Sequence, residues 1–237
     1  MKKHLLFEKK MNPKNWREWG YILVMVIPIQ YAIFISASMF FYAGGSLNDP
    51  NSQGYSFWTN FLSDLGRTKS YSGKLNTLSS ILFTITYLLF GILLIPFLIA
   101  VPHFFNGNQR EMRLSKLGSF FGILSAITLI GIAFTPWDIY TDAHGIFAVI
   151  QPLTVLLALI LYSIAMFHNK EYPNRYAFIF IALIGIWIIS VVISLSGVNN
   201  DTIEGLVIVV TIQKFTTFST LICLFIQGYG AWKLETS

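Results

Sequence analysis

The sequence predicts an all-α integral membrane protein that folds as a bundle of six membrane-spanning helices. Apolar residues make up 54% of the 237-residue chain and charged residues only 11%, whereas a soluble domain carries about 25% charged residues. Six apolar runs are each long enough to cross a hydrocarbon core of about 30 Å, and none alternates as a membrane strand does. We expect one domain with spans at residues 21–42, 77–102, 117–136, 145–167, 176–196 and 206–232.

The cations between these runs fall almost entirely in alternate loops. Those on one side are Lys2, Lys3, Lys9, Lys10, Lys14, Arg17, Arg110, Arg113, Lys116, Lys170, Arg175 and Lys233. Because cytoplasmic loops of membrane proteins are enriched in Lys and Arg, this pattern predicts that both termini are cytoplasmic. We therefore expect a multi-pass protein of the cell membrane.

The first run is an uncleaved span in this interpretation. A cleavable signal peptide has an apolar core of about 7 to 15 residues, and the run at residues 21–42 is longer. The net charge of +5 is explained by its placement in the loops, so we expect no nucleic-acid partner. The single cysteine, Cys223, excludes an internal disulfide and a CxxC pair.

Polar residues share one face in the second, fourth and sixth predicted helices. They are Thr77, Ser80, Thr84 and Tyr87 on the second, His144 and Gln151 with Ala148 and Ala158 on the fourth, and Gln213, Thr216, Thr217, Thr220 and Gln227 on the sixth. Lipid offers no hydrogen-bond partners, so these faces turn into the bundle. Two interpretations stay open: hydrogen bonds within and between helices, or a polar cavity that opens outward.

Lys214 lies beside the polar stripe of the sixth helix. If that helix begins near Glu204, the ammonium lies about 15 Å deep, where a cation costs roughly 2.5 to 3.5 kcal/mol. We then expect a carboxylate partner from the outer loops, Asp138 or Asp64. The alternative is that the span begins at Phe215 and that Lys214 extends to the outer interface.

The first outer loop contains an amphipathic pattern over residues 56–67. Phe57, Trp58, Phe61, Leu62 and Leu65 fall on one helical face, and Asn60, Ser63, Asp64 and Arg67 fall on the other. The pattern predicts a short amphipathic helix at the outer membrane surface. Asp64 and Arg67 are either part of a site or a solvated i,i+3 pair.

The connection between the third and fourth spans contains Asp138, Asp142 and His144. These side chains are compatible with a divalent metal or an acid–base pair. Asp142 is equally compatible with the N-cap of the fourth helix, and one outer histidine is too few for a three-histidine zinc site. We therefore predict no metal and no cofactor.

Three short segments resemble a known family. They are Phe61-Leu62-Ser63-Asp64-Leu65-Gly66, Asn76 at the start of the second helix, and Asp142-Ala143-His144-Gly145 at the start of the fourth. They are similar to a prokaryotic six-span family catalogued as a domain of unknown function. That family is related to the DRAM-like (damage-regulated autophagy modulator) proteins, whose relatives include proteins of lipid remodelling and membrane lipid asymmetry. The resemblance implies roles for Ser63, Asp64 and His144 but no established reaction.

The leading functional hypothesis is a non-enzymatic membrane protein that binds or moves a lipid or small amphiphile in the outer half of the bundle. Membrane lipids are the expected partners. The candidate ligand-binding residues are Asp64, Arg67, Asp138, Asp142, His144, Gln151, Gln213 and Lys214. We also expect Asp64 and His144 to meet at the mouth of one cavity between the second, fourth and sixth helices.

Two other functions fit the same residues. The first is an intramembrane hydrolase with Ser63 as nucleophile, His144 as base and Asp138 or Asp142 as orienter. The second is a proton-coupled carrier in which Lys214 exchanges a proton with an outer carboxylate. The sequence indicates neither a substrate nor an oligomeric state.

Overall fold

The computed structural model describes residues 15–237, and within them it contains six α-helices and no strand. The predicted basic segment before Asn15 lies outside the described residues. The helices are α1 (Trp16–Phe40), α2 (Thr77–Ala100), α3 (Gln109–Phe134), α4 (Thr141–His168), α5 (Asn174–Leu195) and α6 (Ile203–Thr236). All six are long and apolar enough to cross a membrane, which confirms the all-helical, multi-pass architecture.

Every helix except α2 begins before its predicted span, because residues outside the apolar run form its first turn. The side-chain oxygen of Asn108 accepts from the backbone N–H groups of Arg110 and Glu111, so α3 begins at Gln109, eight residues before the predicted span. At the other end of this connection, a 3₁₀ helix (Val101–Phe105) continues α2. Hydropathy alone does not detect such charged, capped turns.

The six helices pack in chain order, and α6 returns to pack on α1. Arg17 at the start of α1 and Glu235 near the end of α6 form an ion pair with an N–O distance of 2.6 Å. Both ends of the described chain therefore lie at one end of the bundle, the termini end. The opposite end, the loop end, carries residues 41–76, which we call the long loop.

Small residues allow close packing between α2, α3 and α4. Gly118 and Gly122, predicted as a helix-packing pair, face the Tyr162 ring and the Leu98 side chain. A Cβ atom on Gly122 would lie 2.7 Å from the end of the Leu98 side chain, so a larger residue there would require Leu98 to shift. This close packing contrasts with α5, which has 11% of its most apolar stretch buried, against 44% for α2 and α3.

Candidate functional site

The long loop folds over the loop end without the predicted amphipathic α-helix. Its one helical element is a short 3₁₀ helix (Leu62–Gly66), preceded by turns. Phe57 and Trp58, predicted on the same face as Leu62, are 41% and 58% exposed, whereas Leu62 is buried. The prediction of one apolar face over residues 56–67 is therefore wrong, because contacts distant in the sequence decide which side chains turn inward.

Buried Asn60 shapes the first part of the long loop. Its Oδ1 accepts from the backbone N–H of Ser56 at 2.9 Å. Its amide nitrogen donates to Gly45 O at 2.9 Å and to Asp64 Oδ2 at 3.2 Å. These bonds supply the partners that a buried amide requires and fix the turn before the 3₁₀ helix.

Asn76 shapes the end of the long loop in the same way. Its Oδ1 accepts from Ala43 N at 3.1 Å, and its amide nitrogen donates to Leu65 O and Arg67 O at 3.1 and 2.9 Å. The residue that the family resemblance identified thus joins the beginning, middle and end of the long loop. Its contacts are those of a structural residue.

Lys214 is buried, with 2% of its surface exposed, but its partners are not carboxylates. Its Nζ donates to Phe57 O at 2.5 Å and to Asn60 O at 2.6 Å. It also lies 5.3 Å from the Tyr55 ring centroid, within the range of a cation–π contact. Among residues 15–237, no carboxylate forms an ion pair with Lys214. The predicted burial of Lys214 is confirmed, but the ammonium bonds to two loop carbonyls instead of forming an ion pair with Asp64 or Asp138, and Asp64 interacts with it through charge alone.

Asp64 lies on the other side of the same turn and is 3% exposed. Its Oδ2 accepts from Phe61 N at 2.8 Å and from the Asn60 amide. Burial raises the pKa of the Asp64 carboxyl to about 6, although these hydrogen bonds and the charges of Arg67 and Lys214 oppose the rise. The carboxylate and the ammonium thus bind the N–H and C=O groups of one turn.

Gln213 and Asp138 also hold the long loop. Gln213 Oε1 accepts from Leu62 N at 2.9 Å. Asp138 accepts from the Thr68 hydroxyl at 2.6 Å and from the backbone N–H groups of Thr68 and Lys69. Burial alone would raise the pKa of Asp138, but the bonds from Thr68 and Lys69 outweigh it and lower the pKa. Arg67 lies over the Tyr71 ring.

His144 is buried and faces α3. Its Nδ1 lies 2.6 Å from Thr135 O, so this nitrogen carries the proton, and the ring meets Trp137 edge to face. Neither Asp138 nor Ser63 forms a hydrogen bond with His144 among the described residues. The structure therefore does not assemble the nucleophile, base and orienter that the hydrolase hypothesis requires.

No hydrogen bond or ion pair joins Asp64 and His144 in the described part of the chain. Asp64 is held by the long loop, and His144 is held by the connection between α3 and α4. Asp142 is exposed and belongs to a shallow groove of about 540 Å³ on the outside of α4. The groove is lined by Trp137, Thr141, Asp142, Gly145, Ile146, Val149 and Ile150.

On α4, the inward face is buried near the termini end and accessible near the loop end. Tyr162 on this face packs against Gly118 of α3 and Phe180 of α5. Gln151 lies about three turns before Tyr162 and points to the same side of the helix. Gln151 is nevertheless half-buried, and Ala148, one turn earlier, is exposed. The bundle therefore opens toward the loop end.

The inward face of α5 also becomes less buried toward the loop end. Tyr176, Phe180 and Leu183 are buried. Trp187, one turn further, is half-buried, and Ser194, on the same stripe, is exposed. Two adjacent helices thus lose inward contacts at the loop end, which indicates an opening between them.

The inward face of α6 closes the opening on its third side. Gln213, Thr217 and Thr220 form a half-buried stripe, and Trp187 Nε1 donates to Thr220 Oγ1 at 3.2 Å. We call this opening the crevice. From these helical faces and their exposure we assign Ala148, Gln151, Ser194, Gln213 and Thr217 to its walls and Trp187 and Thr220 to its floor.

The crevice contains polar groups that no described residue satisfies. No hydrogen bond joins the Gln151 side chain to residues 15–237, and the Gln213 amide nitrogen is likewise available because only its Oε1 is used. Sequence reasoning identified both glutamines but missed Asn60, Trp187 and Ser194. Trp187 offered one signal, since a tryptophan in the middle of a span lies away from the interfaces where this residue is enriched.

The whole-chain comparisons agree with the resemblance in the sequence. No curated protein and no solved structure matches this chain. A family model described as "Protein of unknown function (DUF998)" matches residues 35–224, which extend from α1 into α6 and include the long loop and the crevice. A relation to DRAM-like proteins stays a prediction. The chain belongs to the DUF998 family of proteins of unknown function.

Proposed function

We propose that this protein binds a lipid or small amphiphile in the crevice between α4, α5 and α6. The observation that carries the proposal is the accessible inward face at the loop end, where Ala148, Gln151 and Ser194 lack the cover that the same faces have nearer the termini end. Binding of one molecule there would fill a space that a well-packed bundle closes with side chains.

The chemistry of the crevice supports an amphiphilic ligand. Val155, Ile184 and Phe218, on the three helices that border it, are half-buried apolar side chains that pack against the core, and unpartnered amides at Gln151 and Gln213 provide a few polar contacts. Small-molecule sites commonly combine apolar walls with a few oriented polar groups. An unpartnered amide within a membrane span is costly, so a ligand that bonds to it would be favoured.

Ligand binding in the crevice does not involve the charged side chains that hold the long loop. Lys214, Asp64 and Asp138 are engaged by loop backbone groups and leave the crevice to Gln151 and Gln213. Two of the eight candidate ligand residues therefore remain in the proposed site. Movement of the ligand between leaflets is a further property that the same site would support.

Native mass spectrometry of the purified protein tests the proposal. The protein in detergent is titrated with a total membrane lipid extract, and adducts that survive gentle activation are counted. We expect one retained lipid on the wild-type protein and none on Ala148→Trp, because the indole fills the crevice.

Val149→Trp is the matched control for this experiment. Val149 is the next residue of α4, but it is exposed on the outside of the bundle and lines the shallow groove. This variant should retain the lipid like the wild-type protein. Absence of a retained lipid on the wild type, or equal loss in both variants, would contradict binding in the crevice.

A further inference from the structure

We infer that the crevice selects an amphiphile with an uncharged headgroup that carries hydroxyl or ester groups, such as a diacylglycerol. This inference rests on the proposed function and adds the ligand class to it. Its basis is the charge distribution around the crevice, where the two buried ionisable side chains, Lys214 and Asp64, are engaged elsewhere and the residues assigned to the crevice lining are neutral.

The buried charges near the crevice bind to the protein itself. The Lys214 ammonium donates to the Phe57 and Asn60 carbonyls, and Asp64 accepts from Phe61 N and the Asn60 amide. With 2% and 3% of their surfaces exposed, neither side chain is available to a headgroup. Among the residues assigned to the crevice lining, a phosphate would have no cationic partner, and an ammonium would have no anionic one.

The side chains that do line the crevice are neutral and include available donors. The Gln151 side chain and the Gln213 amide nitrogen have no partner among the described residues, and Ser194 lies in the last turn of α5 at the loop end. The Ser194 hydroxyl donates to Ser190 O and keeps its acceptor lone pairs. These groups match ester carbonyls and hydroxyls, whereas an unpaired headgroup charge in this setting is strongly disfavoured.

Defined lipids with identical acyl chains test the headgroup class. Dioleoylglycerol, dioleoyl phosphatidylglycerol and dioleoyl phosphatidylethanolamine are added separately to the protein in detergent, and retention is compared by native mass spectrometry. We expect at least about tenfold stronger retention of dioleoylglycerol, because the other two leave a charge unpaired. Gln151→Leu should weaken dioleoylglycerol retention about fivefold, the effect of one neutral hydrogen bond.

Ser194→Lys is a variant that should gain lipid retention rather than lose it. A cation at this position should increase retention of phosphatidylglycerol at least about tenfold, since it supplies the missing partner. Retention of either phospholipid by the wild type at or above the level of dioleoylglycerol would overturn the inference and leave the proposed function intact. Retention of none of the three would overturn the proposed function itself.

Discussion

At the scale of single residues, the turn from Phe57 to Asp64 is where Lys214 of α6 binds the long loop. Lys214 binds its carbonyl groups from α6, and Asp64 binds its N–H groups from within the loop. The two side chains therefore hydrogen-bond to one backbone segment without forming a direct ion pair. An ammonium with two carbonyl acceptors in a site with little water is held by strong, charge-assisted hydrogen bonds.

Lys214→Met should loosen the long loop. The substitution removes the donor to Phe57 O and Asn60 O, and we expect a loss of about 2 to 3 kcal/mol in unfolding free energy. Limited proteolysis in detergent should then cleave the long loop faster than in the wild-type protein. Lys74→Met, at an exposed position, should not change the cleavage rate. Equal resistance of both variants would argue against this role.

Asp64→Asn should stabilise the protein at neutral pH. Folding raises the pKa of this buried carboxyl from 3.8 to about 6, so the folded state binds the proton more tightly than the unfolded state. The free energy of unfolding therefore decreases as the pH rises from about 4 to about 6, by about 3 kcal/mol at most. Thermal unfolding should show the variant more stable at about pH 7.5 and equal to the wild type near pH 4.

Asp138→Asn is the control, for which we expect the opposite change in stability. Its folded pKa is lowered, so the ionised carboxyl contributes stability that is present at neutral pH and lost as the pH falls through the folded pKa. This variant should be less stable than the wild type at about pH 7.5. If Asp64→Asn behaved in the same way, burial would not be the dominant effect on Asp64.

At the scale of elements, glycines fix the spacing between α2 and α3. A Cβ atom on Gly91 would lie 2.7 Å from Ala126 O and 2.6 Å from Ile130 Cγ1. Gly91→Ala should therefore push the two helices apart and lower the unfolding free energy by about 1 to 3 kcal/mol. A Cβ atom on Gly185 of α5 would have no atom within 4 Å, so Gly185→Ala should be neutral or stabilising, because alanine favours a helix. Thermal shifts of the two variants in detergent give the comparison.

The helices were predictable from the sequence, whereas the long loop was not. Hydropathy is a local property of the sequence, and each of the six apolar runs corresponds to one helix. The long loop depends on Asn60 bonding to Gly45, 15 residues away, and on Asn76 bonding to Ala43, 33 residues away. Helical periodicity over residues 56–67 contains no information about such partners.

In the candidate site, too, features local to one helix were predictable and contacts between distant segments were not. The burial of Lys214 was predictable from its place on α6, but its partners lie 157 and 154 residues away and depend on how the long loop folds. Gln151 and Gln213 were predicted as binding residues from their helical faces, and their role in binding stays a prediction. The accessible position of Ser194 was not predictable, because it follows from the spacing between helices.

For the whole molecule, the arrangement of cations predicts that the termini end is cytoplasmic. In a Cys223→Ala background, cysteines at Asn51 and Asn199 should react with an impermeant thiol reagent added to intact cells. A cysteine at Asn108 should react only after the cells are opened. Labelling of Asn108 alone in intact cells would reverse the orientation, and the crevice would then open to the cytoplasm.

The uneven packing of the bundle has a functional meaning in this account. The α1, α2 and α3 helices and the long loop form the well-packed part, whereas α4 and α5 have less of their surface buried and border the crevice. Segments that bind ligands commonly come from the less tightly packed part of a fold. In the proposed function the charged residues therefore maintain the architecture, and the neutral crevice is the ligand-binding site.

Thiol accessibility along α4 tests this account most directly. Single cysteines at Ala148, Gln151 and Val149 in the Cys223→Ala protein, reconstituted in lipid nanodiscs, are treated with a hydrophilic thiol reagent. We predict that the first two react, that added dioleoylglycerol protects them, and that Val149, which faces the lipid, stays unreactive throughout. Unreactive cysteines at Ala148 and Gln151, matching Val149 with and without the added lipid, would contradict the existence of an open crevice.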